Sequence, residues 1–290
     1  MKLERIYTAL VTPFDEQMKI DFYALEKLVE NLYQKGMRGF LIGGTTGEAP
    51  ALKREEKELM VRFIKKMHPD ISIMLGVGTN DTEKSKEDVI YFNQIDDIDA
   101  YLIVVPYYNR PSQEGIYAHF MTLDIASKRP IILYNVPARC GTEINFDTLS
   151  ELIFKTNHII GLKQASSDLE MIEKIKAIFP DFIIYSGEDG KLLEALYAGA
   201  DGVISVVSHV IPLSVLQMVQ EFDACQNLEP LDDYIKLIAK YCFSEPSPAP
   251  VKYLLFKQGL IKNILRLPLV PIPAESEEKF DRLINVMKTF

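Results

Sequence analysis

The sequence predicts an α/β protein, a (β/α)8 TIM barrel with a C-terminal helical extension. Three observations carry this. Eight short apolar runs rich in Ile, Val and Tyr alternate with eight longer amphipathic patterns, the arithmetic of a closed barrel. The runs are nearly continuous in apolarity, as parallel strands covered on both faces are. The first run is followed by Thr12-Pro13-Phe14, not by the Gly-rich turn that opens a doubly wound sheet.

The strands fall at 5–11, 39–42, 71–75, 100–105, 131–134, 159–163, 182–185 and 202–206. Between them, Leu25, Leu28, Val29 and Leu32 keep helical spacing, as do Leu59, Phe63 and Met67, and then Met171, Ile172, Ile175 and Ile178. Asp81 or Thr82, Ser112 and Asp168 stand where N-caps belong. The eighth helix begins near Pro212. Beyond residue 223 there is no strand signal, only helical stretches separated by Ser244-Glu245-Pro246-Ser247-Pro248 and Leu267-Pro268-Leu269-Val270-Pro271. The chain therefore divides into a barrel, 1–224, and an extension packed on it, 225–290. Standing alone, a segment of roughly 65 residues would make a marginal domain.

Composition narrows the function. The 290 residues can bury roughly three quarters of their unfolded surface, so no disulfide or metal staple is required. Asp and Glu number 41 and Lys and Arg 32, a net charge of −9 that attracts neither nucleic acid nor anionic membrane. No run approaches the roughly 20 apolar residues of a bilayer span, and the first residues lack the cleavage site of a signal peptide. Cys140, Cys225 and Cys242 are odd in number and show no CxxC spacing, which suggests a reducing cytoplasm. The four histidines are scattered with no HExxH, so no metal is expected.

In such a barrel the active site lies where strands end. Those ends carry Gly43-Gly44-Thr45-Thr46-Gly47-Glu48, Pro106-Tyr107-Tyr108-Asn109, Tyr134-Asn135-Val136-Pro137-Ala138-Arg139, Lys163, and Ser186-Gly187-Glu188-Asp189. Alternation puts Ile159, Gly161 and Lys163 on one face. A lysine inside a barrel loses solvation, which lowers its pKa and yields the neutral amine that carbonyl chemistry requires. A lysine that reaches water or pairs with Asp168 is the plainer alternative. The paired glycines suit a turn whose N–H groups hold a carboxylate or phosphate, or simply a strand-to-helix turn. Arg139 suits a two-pronged grip on a carboxylate, or is a solvated charge.

Together, ALVTPF at 9–14, GGTTGE at 43–48, VPYYNRPSQEG at 105–115, YNVPARCG at 134–141, GLKQAS at 161–166, SGED at 186–189, GVISV at 202–206, EPSPAPVK at 245–252 and RLPLVPI at 266–272 resemble the dihydrodipicolinate synthase branch of the pyruvate-dependent class I aldolases. The resemblance covers nearly the whole chain and implies a barrel with a helical extension. It implies a lyase that condenses pyruvate with L-aspartate 4-semialdehyde toward diaminopimelate and lysine, with no metal or organic cofactor. Lys163 would form the Schiff base. Tyr134, Thr45 and Tyr108 would relay protons, and Tyr107 would cross a dimer interface. Thr46 would hold the pyruvate carboxylate, Arg139 the carboxylate of the aldehyde, and Gly187 and Ile204 would line the pocket. A homotetramer of two tight dimers is implied as well.

Two other readings stand beside it. One is an N-acetylneuraminate or keto-deoxy sugar-acid aldolase, to which Gln164 after the lysine points. The other is a non-catalytic relative that only binds a keto acid. Ala49 and Ser247 depart from the pattern without touching imine chemistry. Lys57 and Lys84 stand where lysine-inhibited members carry a histidine and a glutamate, so weak or absent feedback inhibition by lysine is expected.

Overall fold

A computed structural model describes residues 3–166, 168–224 and 227–287. Eight strands alternate with helices: β1 Ile6–Ala9, β2 Gly39–Ile42, β3 Ser72–Val77, β4 Ala100–Val104, β5 Ile131–Asn135, β6 Ile159–Gln164, β7 Ile183–Ser186 and β8 Gly202–Ser205. Each pairs in parallel with the next, and β1 pairs with β8, so the sheet closes into the barrel expected. Apart from the first residues of β3 and β7, the second of β6 and the last of β4, every strand position is buried. That is the signature of strands covered on one side by helices and on the other by the barrel core.

The helices are α1 Phe22–Gln34, α2 Arg54–Met67, α3 Thr82–Phe92, α4 Gln113–Ala126, α5 Pro137–Cys140, α6 Phe146–Lys155, α7 Glu170–Ile178, α8 Leu192–Tyr197, α9 Pro212–Phe222, α10 Glu229–Cys242, α11 Ala249–Lys257 and α12 Ala274–Met287. The side chains of Asp21, Asp81, Ser112 and Asn145 cap four of them by accepting first-turn amides. Asp168 does not cap α7 as expected. The helix starts one residue later than that cap requires, after Leu169, and Asp168 Oδ1 accepts from Glu170 N in a local turn.

The α1 stripe lies buried as predicted. In α2 the buried face is Met60, Val61 and Ile64, and Leu59 is exposed. The row Leu59, Phe63 and Met67 keeps helical spacing but flanks the core, with Phe63 packed on Phe22 at a ring separation of 5.0 Å. Ile178 is likewise exposed where the last turn of α7 runs past the core.

The barrel floor is aromatic. Tyr7 and Tyr185 meet edge to face at 5.8 Å, and their hydroxyls bond Ser72 Oγ and Glu4 O. The predicted junction at 224/225 touches residues 225 and 226, including Cys225, which lie outside the described residues. Beyond it, Ile235, Ile238 and Cys242 of α10 and Val251, Leu254 and Leu255 of α11 are buried in one continuous core with the barrel. Cys140 and Cys242 are free and buried.

Candidate active site

Lys163, the penultimate residue of β6, points into the barrel. Its Cα pairs in register with Tyr134 of β5 and Tyr185 of β7, so these side chains share one face. Its Nζ stands over the Tyr134 ring, 4.5 Å from the centroid, and makes no hydrogen bond or ion pair among the described residues. Burial lowers its pKa from 10.5 to about 8. The charges of Asp189 and Glu188 oppose that shift and Arg139 adds to it. Asp168 is exposed and makes no ion pair with it.

The same chemistry reaches the neighbours. Burial raises the Tyr134 phenol, with the Arg139 charge and the Thr45 side chain pulling back. Asp189 is buried. Its Oδ2 accepts from Val206 N at 2.8 Å and Val207 N at 3.3 Å, while Oδ1 has no partner. Burial lifts the Asp189 and Glu188 carboxyls above the ordinary range, and Lys163 counteracts this in both. Gly187 must be glycine, since a Cβ there would come within 2.5 Å of Ala165 Cβ and 3.0 Å of Lys163 Cε.

A cavity of about 470 Å³ is walled by Thr45, Tyr107, Tyr134, Arg139 and Cys140; Lys163 does not line it and is linked to it through the Tyr134 ring over which its Nζ stands. Thr45 and Thr46 come from the turn after β2. That turn rests on β3, where a Cβ at Gly76 would stand 2.1 Å from Gly43 O. Arg139 sits exposed on the single turn of α5, with no acidic partner among the described residues. Thr46 and Ile204 are buried, Thr46 beside Thr45 and Ile204 inside the barrel through its register with Tyr7. Thr46, Gly187 and Ile204, like Lys163 itself, are not among the residues that wall this cavity, and Gly187 lies against the Lys163 side chain.

The two adjacent tyrosines part company. Tyr107 lines the cavity of its own chain, whereas Tyr108 is 87% exposed, with a left-handed φ of 73° that turns it outward. Within one chain it is therefore Tyr107, expected to cross a dimer interface, that faces the cavity, and Tyr108, expected in the relay, that lies on the surface. Both lie in the loop beyond β4, and sequence alone does not say which of them the loop turns inward. Gln164 also points away from the site, its Oε1 accepting from Asn135 Nδ2, whose Oδ1 takes Ile144 N. It braces the loop that carries Arg139 and cannot select a substrate directly.

Lys57 and Asp88 line the same cavity. The Lys57 Nζ donates to Gly76 O at 2.9 Å, and burial lowers its pKa to about 8. Lys84 lies outside the cavity, exposed and facing Asp81. Nothing local in the sequence marks Asp189 or Lys57 as a neighbour of the lysine or of the cavity. The run SGED was visible, but a strand-end acid ordinarily reads as solvated. Among the described residues no group of three or more His, Cys, Asp or Glu could hold a metal ion, and no helix is long and apolar enough to cross a membrane.

Comparison with known proteins adds a third line. A sequence profile described as the Dihydrodipicolinate synthetase family matches residues 2–287. The 4-hydroxy-tetrahydrodipicolinate synthase of Enterococcus faecalis is 41% identical over 284 residues, 97% of this chain and 98% of that one. The dihydrodipicolinate synthase of Aquifex aeolicus superposes with a TM-score of 0.94 at 32% identity, covering 99% of this chain and 98% of that one. That of Acinetobacter baumannii, in a crystal structure complexed with pyruvate, gives 0.94 at 32% identity over the whole of both chains.

Proposed function

The chain belongs to the dihydrodipicolinate synthetase family, and from that premise we propose that it is a 4-hydroxy-tetrahydrodipicolinate synthase joining pyruvate to L-aspartate 4-semialdehyde. The observation that carries the proposal is a buried, unpaired lysine of lowered pKa beside a buried tyrosine.

The steps follow from the groups present. The neutral Lys163 amine attacks the keto carbon of pyruvate, and loss of water leaves an imine. Its protonated nitrogen draws electrons, so the methyl group gives up a proton and becomes a nucleophilic enamine. Asp189 and Glu188 supply the countercharge for that cation, replacing the solvation lost by burial. The enamine attacks the aldehyde carbon, and the amine of the second substrate then displaces Lys163 and closes the ring. Tyr134 and Thr45 carry protons at the imine. Thr46 and the turn around it hold the pyruvate carboxylate, and Arg139 holds that of the aldehyde. The chemistry draws on no metal or organic cofactor.

Tyr108 enters this scheme only from a second copy of the chain, since its own backbone turns it outward. We read the protein as a homotetramer of two dimers, at work in the cytoplasm, in which the partner's tyrosine completes the relay through Thr45. Lys57 keeps a cation in the cavity wall, so inhibition by free lysine is expected to be weak. A submillimolar inhibition constant would contradict that.

The test of the function is borohydride reduction in the presence of pyruvate, followed by peptide mapping. The expected result is one pyruvate adduct, on Lys163, abolished in Lys163→Ala. No adduct, or one elsewhere, overturns the proposal. Product formation from aspartate semialdehyde, with no pyruvate released from sialic acid, separates it from the sugar-acid aldolases.

A further inference from the structure

We infer that Glu48, gripped by Lys252 and Arg266 from the C-terminal extension, is a positioning residue that holds the Thr45–Thr46 turn in its working shape; the inference rests on the reading of the site above.

The turn is closed locally by Gly47 N to Gly44 O at 3.1 Å, Glu48 N to Thr45 O at 3.0 Å and Ala49 N to Gly44 O at 3.2 Å. From behind, Thr12 Oγ1 donates to Gly47 O at 2.8 Å. At its end Glu48 adopts a left-handed φ of 58°, a region an L-residue with a side chain disfavours and glycine enters freely. Yet the position holds a glutamate that is almost wholly buried. Both carboxylate oxygens are taken from far along the chain: Oε1 accepts from Lys252 Nζ, and Oε2 from Arg266 N at 2.9 Å.

Those partners are themselves held. Lys252 is fully buried on α11 and also donates to Ile264 O at 2.8 Å. The Arg266 guanidinium donates to Ala51 O at 2.8 Å and pairs with Glu56 at 2.6 Å. The two cations sit over the Phe14 ring, 4.4 and 4.3 Å from its centroid. The turn is thus pinned between the backbone of β3 at Gly76 and the extension.

Stability alone does not account for this arrangement. Desolvation offsets much of the attraction in a buried ion pair, and an apolar pair of similar volume does as well or better. What a buried, fully bonded carboxylate adds is direction. Because Glu48 N bonds Thr45 O, any drift of Glu48 moves the residue assigned to the proton relay and its neighbour that holds pyruvate.

The experiment combines Glu48→Gly with Lys252→Met in the full-length protein. Glycine takes the left-handed backbone without strain, and methionine fills the lysine's volume without stranding a charge. Circular dichroism and thermal melting check the fold, and borohydride labelling with saturating pyruvate counts competent Lys163 sites. We expect the pyruvate KM to rise about tenfold and kcat per labelled site to fall about tenfold, with the KM of the aldehyde within about twofold of the parent. A purely structural role would reduce only the number of labelled sites. Unchanged pyruvate KM and kcat per site overturn the inference. Glu48→Gln with Lys252→Met provides the same readout if the first variant does not fold. Absence of a pyruvate label on the parent protein overturns the underlying reading of the site instead.

Discussion

At pH 7 an amine with a pKa of about 8 is neutral in roughly one molecule in ten, against about one in two or three thousand for an ordinary lysine. We therefore predict that kcat/KM for pyruvate rises with pH through an apparent pKa near 8 and then levels, as a pH–rate profile of the free enzyme will report. The stability sign follows from the same shift. The folded pKa is depressed from 10.5 to about 8, so the unfolded chain binds more protons between these values and stability climbs as pH rises through that window. Below it the buried charge is a constant cost, and Lys163→Met should raise unfolding free energy at pH 7 by about 2–3 kcal/mol in urea titrations while abolishing the pyruvate adduct. Tyr134→Phe should lower kcat by about 10²–10⁴-fold with little change in pyruvate KM. Arg139→Ala should raise the KM of the aldehyde about ten- to hundredfold and leave that of pyruvate alone. Lys163 was legible in sequence because a lone cation closes an apolar run on its inward face. Glu48 was read only as the end of a turn, because its partners lie more than two hundred residues away and no local pattern announces them.

The strand–helix units supply the frame on which these groups stand. The SGED segment at the end of β7 brings the Asp189 charge within reach of Lys163, and the segment packs against Ala165 and Lys163 only because residue 187 has no side chain. Gly187→Ala should destabilise the fold by about 1–3 kcal/mol through overpacking and lower turnover by pushing on Lys163, both measurable by denaturation and steady-state kinetics. The strands themselves were readable to within two residues at every end, since a continuous Ile/Val run bounded by polar turns has few alternatives. Helix faces were less so. In α2 two rows of apolar residues share helical spacing, and only packing decided that Met60, Val61 and Ile64 face inward. Tyr107 and Tyr108 pose the same difficulty, because the positive φ that separates them arises from the loop's tertiary setting.

Across the whole molecule, the cavity of one chain holds Tyr107, and Tyr108 projects from its surface. If a second copy supplies that tyrosine, mixing inactive Lys163→Ala chains with impaired Tyr108→Phe chains should restore activity above that of either alone. Failure to complement in verified mixed oligomers would remove the shared relay. The net charge of −9 likewise takes on a local meaning. Under the proposed function, two carboxylate substrates would be drawn in by Arg139 and the Thr45–Thr46 turn against an unfavourable overall field. Composition, period and motif order were enough to specify the barrel, its helical extension and the family, because these depend on patterns repeated along the chain and on residues close in sequence. Which tyrosine faces the cavity, where Gln164 points and what holds Glu48 depended on contacts between distant segments. Those contacts exist only once the barrel has closed and the extension has packed against it.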